Sequence, residues 1–149
     1  MTKLESIKLE TQNIKQIQML KNKLPIPTNE EKQQRKQYDL EDRTFDFAKN
    51  VRAFSKQLPK TLANIEDIKQ VVRASGSVGA NYIEANESLS KKDFLVRIKI
   101  CRKEAKETRY WLRLIDVGEN STVEKHRGDL VREATELTSI FGAILRKSE

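Results

Sequence analysis

The sequence predicts an all-α protein, an antiparallel up-down-up-down four-helix bundle preceded by one further amphipathic helix. Only five glycines and three prolines occur in 149 residues, and 34% of the residues are charged, which is typical of long helices joined by few turns. Apolar residues recur every three to four positions along most of the chain, and no stretch alternates as a strand does. Short connections between successive helices favour antiparallel packing.

Residues 1–37 are predicted to form a helical extension followed by a polar linker. The residues that keep helical spacing through this lysine-rich sequence are Leu4, Ile7, Thr11, Ile14, Ile17 and Leu24. Pro25 and Pro27 end the helix, because proline lacks an amide proton and disfavours helix in the preceding residue. Residues 28–37 are uniformly polar and are interpreted as a linker, either irregular or helical, that has no apolar face to bury. The bundle is therefore expected to span residues 38–149.

Two stripes of apolar and small residues define the first half of the bundle. The stripe of the first helix is Leu40, Thr44, Phe47, Val51, Phe54 and Leu58. Pro59 ends this helix, and the second begins between Thr61 and Asn64. The stripe of the second helix is Ile65, Ile68, Val72, Ser75, Gly79, Tyr82 and Asn86. Steps of three and four residues are those of core-facing helices.

The second half of the bundle follows the same pattern. Ser90 and Asp93 resemble a capping box and open the third helix. The stripe of the third helix is Phe94, Ile98, Cys101, Ala105, Thr108, Leu112 and Ile115. After Gly118, Ser121 and Glu124 are predicted to form a second capping box. The stripe of the fourth helix is Val123, Leu130, Ala134, Leu137, Phe141 and Ile144.

Charge and cysteine usage narrow the class of protein. With 29 Lys and Arg against 22 Asp and Glu, the net charge is +7, so an acidic partner is expected. No apolar run approaches the roughly 18 residues of a membrane-spanning helix, and the first residues lack the apolar stretch of a signal peptide. We therefore expect a cytoplasmic protein without membrane contact. The single cysteine, Cys101, excludes an internal disulfide and a cysteine-cluster metal site.

Five cations of the third bundle helix are predicted to form one row along its surface, the basic row. They are Lys99, Arg102, Lys106, Arg109 and Arg113. Like charges three or four residues apart repel by a few tenths of a kcal/mol per pair, so an anion is expected opposite the row. That anion is either a nucleic acid or a set of carboxylates from neighbouring helices. The candidate carboxylates are Glu133, Glu136, Asp42 and Asp46.

A second apolar face on the same helix predicts a further buried interface. It consists of Val96, Ile100, Trp111 and Leu114. A helix in a lone four-helix bundle needs only one apolar stripe, so we expect a homo-oligomer whose interface includes these residues. The alternatives are that Trp111 merely widens the core stripe or that the N-terminal helix covers it.

Small residues in the second bundle helix predict close helix packing. The residues concerned are Ser75, Gly76, Gly79, Ala80 and Asn81. A glycine inside a helix costs about 1 kcal/mol relative to alanine, so a compensating contact is expected. Residues 76–79 also match the GxxG pattern of a nucleic-acid-binding loop. The two middle residues are not basic and no strands surround them, so helix packing is the favoured interpretation.

No catalytic, cofactor or metal site is predicted, and the chain is not expected to be an enzyme. His126 is interpreted as a solvated surface residue, and Cys101 as a small buried hydrophobe, since it lies on the core stripe. The carboxylates Glu104 and Glu107 lack the Glu-x-x-His motif of a di-metal bundle site. The partners expected for them within the same helix are Lys103, Lys106 and Arg109.

One long motif resembles a known bacterial family. It consists of SGSVGANYIEANESLSKKDFLVRIKI (75–100) followed by AKETRYWL (105–112), and the resemblance begins at YDLEDRTF (38–45). The family was first met as proteins encoded in intervening sequences of 23S ribosomal RNA genes. The resemblance implies an antiparallel four-helix bundle that assembles into a homopentamer with a central pore. It also implies kinship with the accessory variability determinant of diversity-generating retroelements, a basic pentamer that binds nucleic acid and associates with a reverse transcriptase.

Two functional hypotheses follow. The first is a non-catalytic, pentameric basic scaffold that binds structured RNA or an RNA/DNA hybrid through the basic row, with a reverse transcriptase as a further partner. The second is a structural or protein-interaction bundle that has no nucleic-acid role and whose cations serve subunit contacts. Neither hypothesis requires a cofactor.

Overall fold

The computed structural model of the protein describes residues 2–22 and 26–148. Within them the chain forms helices and no strands, which confirms the predicted all-α class. The helices are α1 (Lys3–Asn22), α2 (Asn29–Ser55), α3 (Leu62–Asn86), α4 (Lys91–Leu114) and α5 (Ser121–Ser148). The chain divides into two compact units, Met1–Lys36 and Gln37–Glu149. None of the described helices combines the length and apolar character needed to cross a membrane.

Helix α1 begins with a reciprocal cap. The Thr2 amide donates to Glu5 Oε2 at 2.8 Å, and the Glu5 amide donates to Thr2 Oγ1 at 3.3 Å. Hydrogen bonds from Thr2 lower the pKa of the Glu5 carboxyl. The large apolar side chains exposed along this helix are Leu4, Ile7, Leu9, Ile14, Ile17 and Met19. Leu24 and Pro25, which the sequence places at the end of this helix, lie outside the described residues.

The stretch interpreted as a polar linker is helical, because α2 already begins at Asn29. A second reciprocal cap starts it: the Thr28 amide donates to Glu31 Oε2 at 2.7 Å, and the Glu31 amide donates to Thr28 Oγ1 at 3.2 Å. Glutamate, glutamine, lysine and arginine are good helix formers, so this polar stretch is compatible with a helix although its pattern contains no core stripe.

Helices α2 to α5 pack as the predicted up-down-up-down bundle. On α2, Arg43 binds Glu133 of α5 and Phe54 packs edge-on against His126, so rising numbers on α2 meet falling numbers on α5. Asn86 of α3 donates to Glu41 of α2 at 2.8 Å and Gly79 of α3 lies against Thr44 of α2, so α2 and α3 are antiparallel as well. In the ion pairs between α3 and α4, described below, rising residue numbers on α3 meet falling numbers on α4, so these two helices are antiparallel too.

The core stripes of α2 and α5 are buried as predicted, apart from the half-buried Ile144, and that of α4 is buried from Ile98 to Ile115. The stripe of α3 is rotated relative to the prediction by roughly 70°, less than one residue step, so that Ser75 and Tyr82 belong to both stripes. Ile65 is 43% exposed, and Val72 is half-buried. The buried residues of α3 are Asn64, Val71, Ala74, Ser75, Val78, Tyr82 and Ala85. Alternating apolar and small residues along α3 leave two adjacent faces with similar patterns, and packing against α2 and α4 selects between them.

The loop before α5 corrects one predicted cap. Asn120, rather than Ser121 with Glu124, caps the helix: its Oδ1 accepts from the amides of Thr122 at 3.0 Å and Val123 at 3.2 Å. The Glu124 carboxylate binds Arg127 instead. Gly118 takes a φ of +68°, the left-handed conformation that glycine adopts without strain, and so turns the chain from α4 into α5.

Candidate nucleic-acid interface

The basic row lies along the solvent side of α4. Its five members, Lys99, Arg102, Lys106, Arg109 and Arg113, are all exposed. None of them forms an ion pair or hydrogen bond with another side chain within residues 2–22 and 26–148. From the first to the last cation the row spans roughly 21 Å at 1.5 Å per residue. The structure therefore presents five cations on one line that its own described carboxylates do not neutralise.

The carboxylates considered as partners for this row face elsewhere. Arg43 of α2 binds Glu133 at 2.7 Å and Glu136 at 2.6 Å, on the side of α5 that faces α2. The hydrogen bond from Arg43 to Glu133 raises the pKa of the guanidinium, so this cation stays charged. Asp42 and Asp46 lie on α2, which is diagonal to α4 in the bundle. The proposed internal ion network between these acids and the row does not form.

The acidic residues of α4 also turn away from the row. Arg73 of α3 binds Glu107 at 2.6 Å and approaches Glu104 at 3.6 Å. The ion pairs expected with Lys103, Lys106 and Arg109 are thus replaced by a pairing between helices. Arg97 likewise bridges to Glu84 at 2.5 Å and to Asn81 Oδ1 at 3.1 Å, which ties the other end of α4 to α3.

Glu104 depends on Arg73 for its only nearby counter-ion among the described residues. Its side chain is 9% exposed, and its Oε2 atom is buried without a hydrogen bond in that part of the chain. We expect Arg73→Ala to lower the free energy of unfolding by about 1–2 kcal/mol, because a buried carboxylate loses its partner while Arg73 itself is half exposed. Chemical denaturation followed by circular dichroism measures this loss.

A matched control for Arg73→Ala is Lys69→Ala. Lys69 pairs with Glu66 at 3.1 Å, but both side chains are about two-thirds exposed. An exposed pair of this kind contributes roughly 0–1 kcal/mol. Equal losses in the two variants would contradict the special role of the Arg73 pair.

An acidic groove lies between α2 and α5. It has a volume of about 580 Å³, and the acidic residues that line it are Asp39, Asp42, Asp46, Asp129 and Glu133. No group of three or more His, Cys, Asp or Glu side chains in the described residues has the arrangement of a metal site. Acidic side chains thus cluster in the groove between α2 and α5, whereas the basic row lies on α4.

The second apolar face of α4 is only partly free. Trp111 packs against the core, its Nε1 donates to Glu107 at 3.2 Å, and the ring of Tyr110 lies edge-on at 5.0 Å. The alternative that Trp111 widens the core stripe therefore holds. Val96 and Leu114 remain 49% and 52% exposed. Together with the half-buried Ile100 they form the apolar strip, which Lys103 and Glu107 interrupt between Ile100 and Leu114.

The small residues of α3 have separate roles. A methyl group on Gly79 would lie 3.0 Å from Thr44 Oγ1 and 3.6 Å from the α2 backbone, so α2 and α3 approach closely there. Gly76 faces only the end of the Arg52 side chain, at 3.3 Å. Ser75 is fully buried, and Asn81 holds Arg97. Ala80 is exposed, on the side of α3 roughly opposite the buried stripe.

The cysteine and the histidine, the two residue types considered for catalysis, both pack against other side chains of the bundle. Cys101 is fully buried in the core, and burial raises the pKa of its thiol to about 12. The thiolate form needed for nucleophilic chemistry is therefore suppressed at neutral pH. The sequence suggested that His126 is a solvated surface residue, and the structure corrects this. His126 is half-buried, and its ring packs edge-on against Phe54 at 5.4 Å between centroids.

The bundle has recognisable relatives. The model of the family described as 23S rRNA-intervening sequence protein matches residues 36–142. A solved structure from Bacteroides thetaiotaomicron, described as a protein of unknown function from the S23 ribosomal protein family, is 30% identical in sequence. The match covers 74% of this chain and 98% of that one, with a TM-score of 0.62. No curated protein matches the chain.

Proposed function

This chain belongs to the 23S rRNA-intervening sequence protein family, and on that premise we propose that it is a non-catalytic, oligomeric scaffold that binds nucleic acid through the basic row of α4. The observation that carries the proposal is the row itself. Its cations are exposed, and three of the carboxylates considered as their partners, Glu133, Glu136 and Glu107, bind Arg43 or Arg73 instead.

The length and chemistry of the row fit a phosphate backbone. The five cations are spread over roughly 21 Å and can contact several phosphates along a nucleic-acid backbone. No aromatic side chain alternates with the cations, so base stacking and sequence readout are not part of the proposal. The proposed ligand is structured RNA or an RNA/DNA hybrid, bound through its backbone and shape.

Assembly into an oligomer, with five subunits as the proposed number, would strengthen this binding. One row of exposed cations attracts a polyanion weakly, but several rows on one particle act at high effective concentration. The exposed Val96 and Leu114 supply apolar surface for the subunit contact. A reverse transcriptase is a further proposed partner, on the resemblance to the accessory variability determinant.

Charge reversal in the middle of the row tests the proposal. We expect Lys106→Glu combined with Arg109→Glu to abolish binding of a fluorescent structured RNA, because two attractive contacts become repulsive. The matched control is Lys49→Glu with Lys56→Glu, an exposed cation of α2 and one in the turn that follows it, which undergo the same change in net charge. Equal affinity in the row variant and the wild type, measured by fluorescence anisotropy, would contradict the proposal.

The dependence of affinity on salt gives the number of contacts. For a full row, the slope of log affinity against log salt should be several times the −0.7 to −0.9 expected per phosphate. The row variant should flatten this slope, whereas the α2 control should leave it unchanged. A flat slope for the wild type would mean that the row does not act as a phosphate-binding surface.

The apolar strip of α4 provides the test of assembly. We expect Val96→Glu combined with Leu114→Glu to dissociate the oligomer, since burying two carboxylates at a subunit contact is strongly unfavourable. Light scattering coupled to size-exclusion chromatography measures the mass. The control is Ile65→Glu with Ile83→Glu, two exposed apolar residues of α3. A wild-type mass equal to that of one chain would contradict the proposed assembly.

A structural or protein-interaction bundle is the second candidate, and the exposed apolar strip of α4 favours it. Under this function the cations would serve subunit contacts. The variant with Lys106→Glu and Arg109→Glu would then lower the mass of the oligomer, while the wild type would show no affinity for RNA at low salt. Measuring mass and RNA affinity on the same samples separates the two functions.

A further inference from the structure

Two arginines from different helices meet over Gly142. This glycine is buried on the side of α5 that faces α4. A methyl group built on it would lie 3.3 Å from Arg146 Nη1 of α5 and 3.7 Å from Arg102 Nε of α4. Because both nitrogen atoms lie within 3.7 Å of one point, they are at most about 7 Å apart. The missing side chain at residue 142 thus leaves room for two guanidinium groups side by side.

The two guanidinium groups lack an acidic neighbour in the described part of the chain. Neither Arg102 nor Arg146 takes part in any of its ion pairs or side-chain hydrogen bonds, whereas Arg43, Arg73 and Arg97 each bind a carboxylate. Both side chains are exposed to solvent. Two like charges held this close repel each other, and an anion between them would turn that repulsion into two favourable contacts.

We propose that Arg102 and Arg146 form a phosphate clamp over Gly142. The clamp rests on the proposed function and deepens it, because it extends the basic row from α4 onto the last turns of α5. Its ligand is a single phosphate group of a nucleic-acid backbone. Guanidinium groups suit this ligand, since each is planar, remains charged and donates paired hydrogen bonds to phosphate oxygens.

The clamp predicts a residue-specific loss of affinity on α5. Arg146→Gln should weaken binding of a fluorescent RNA hairpin by roughly tenfold, because a charge-assisted contact is lost. Lys147→Gln is the matched control: it removes the same charge one residue further along, but about 100° around the helix from Arg146. It should weaken binding by less than about twofold. Equal losses in the two variants would overturn the clamp.

A change at Gly142 tests the geometry without altering charge. Gly142→Leu puts a branched side chain where the guanidinium groups meet, so affinity should fall by roughly fivefold or more while the net charge stays the same. Leucine is a better helix former than glycine, and circular dichroism checks that the bundle remains folded. If this variant folds and binds RNA like the wild type, the clamp is wrong.

The clamp and the proposed function fail in different ways. If the row variant with Lys106→Glu and Arg109→Glu loses binding while Arg146→Gln matches Lys147→Gln, only the clamp is overturned. If the wild type does not bind the hairpin even at low salt, the proposed function falls and the clamp with it. A salt slope reduced by about one phosphate contact in Arg146→Gln would support both.

Discussion

Replacing Gly79 with leucine is expected to lower the free energy of unfolding of the bundle by about 3 kcal/mol. Thr44 of α2 leaves no room for a side chain here: a methyl group on Gly79 would already lie 3.0 Å from Thr44 Oγ1 and 3.3 Å from its Cβ. Thr44 is buried and β-branched, and its hydroxyl donates to the Leu40 carbonyl at 2.9 Å, so its side chain is held in place. The larger side chain must therefore push α2 and α3 apart.

Gly76→Leu is the matched control for this change. It lies three residues earlier on α3, and the nearest atoms are the guanidinium nitrogens of Arg52, the far end of a flexible side chain. We expect a change below about 1 kcal/mol, since the gain in helix propensity offsets the displacement of Arg52. Denaturant unfolding followed by circular dichroism measures both variants. A similar loss in the two would contradict the close contact assigned to Gly79 alone.

Replacing Asn64 with leucine is expected to lower the free energy of unfolding by a similar amount, about 2–4 kcal/mol. The Asn64 side chain is buried and joins two loops of the bundle: its Nδ2 donates to the Pro59 carbonyl at 2.9 Å and to the Asp116 carbonyl at 2.8 Å. Its Oδ1 accepts from the Asp116 amide at 3.0 Å. Leucine removes all three bonds and leaves backbone groups of both loops without their partner, at about 1 kcal/mol or more per group.

The neighbouring residue provides the control for Asn64. Ile65 is 43% exposed, so Ile65→Ala should change stability by less than about 1 kcal/mol. The sequence pattern alone predicts the opposite order, with Ile65 in the core and Asn64 near the start of the helix. Thermal unfolding of the two variants decides between these orders. A greater loss for Ile65→Ala would contradict the rotation of α3 found in the structure.

The predicted features that the structure retains are local ones. The stripes of α2, α4 and α5 are set by residue spacing along single helices, which is why apolar periodicity locates them. The basic row is local in the same sense, because residues three and four apart on one helix are neighbours wherever the helix packs. Fold class and the position of the basic row on an exposed face of α4 could therefore be derived from residue spacing, and the family from the resemblance of one long motif.

Most of the features that sequence reasoning missed join separate helices; the Asn120 cap of α5 and the early start of α2 are local exceptions. Glu133 pairs with Arg43 and Glu107 with Arg73, although the sequence offered cations on α4 as partners. A carboxylate chooses its partner according to which helix faces it, and no spacing within one helix contains that information. The sequence located the start of α3 between Thr61 and Asn64, but it did not reveal the contact of Asn64 with Asp116.

The sequence by itself determined the helices of the bundle and placed five cations on one face of α4, because both depend on the 3.6-residue repeat of a single helix. The tertiary structure decided which face of α3 is buried and paired the nearby carboxylates with arginines outside the basic row. It also brought Arg102 and Arg146 together over Gly142. These outcomes depend on the rotation and spacing of helices against one another. Packing sets that arrangement through side chains that are distant in the chain.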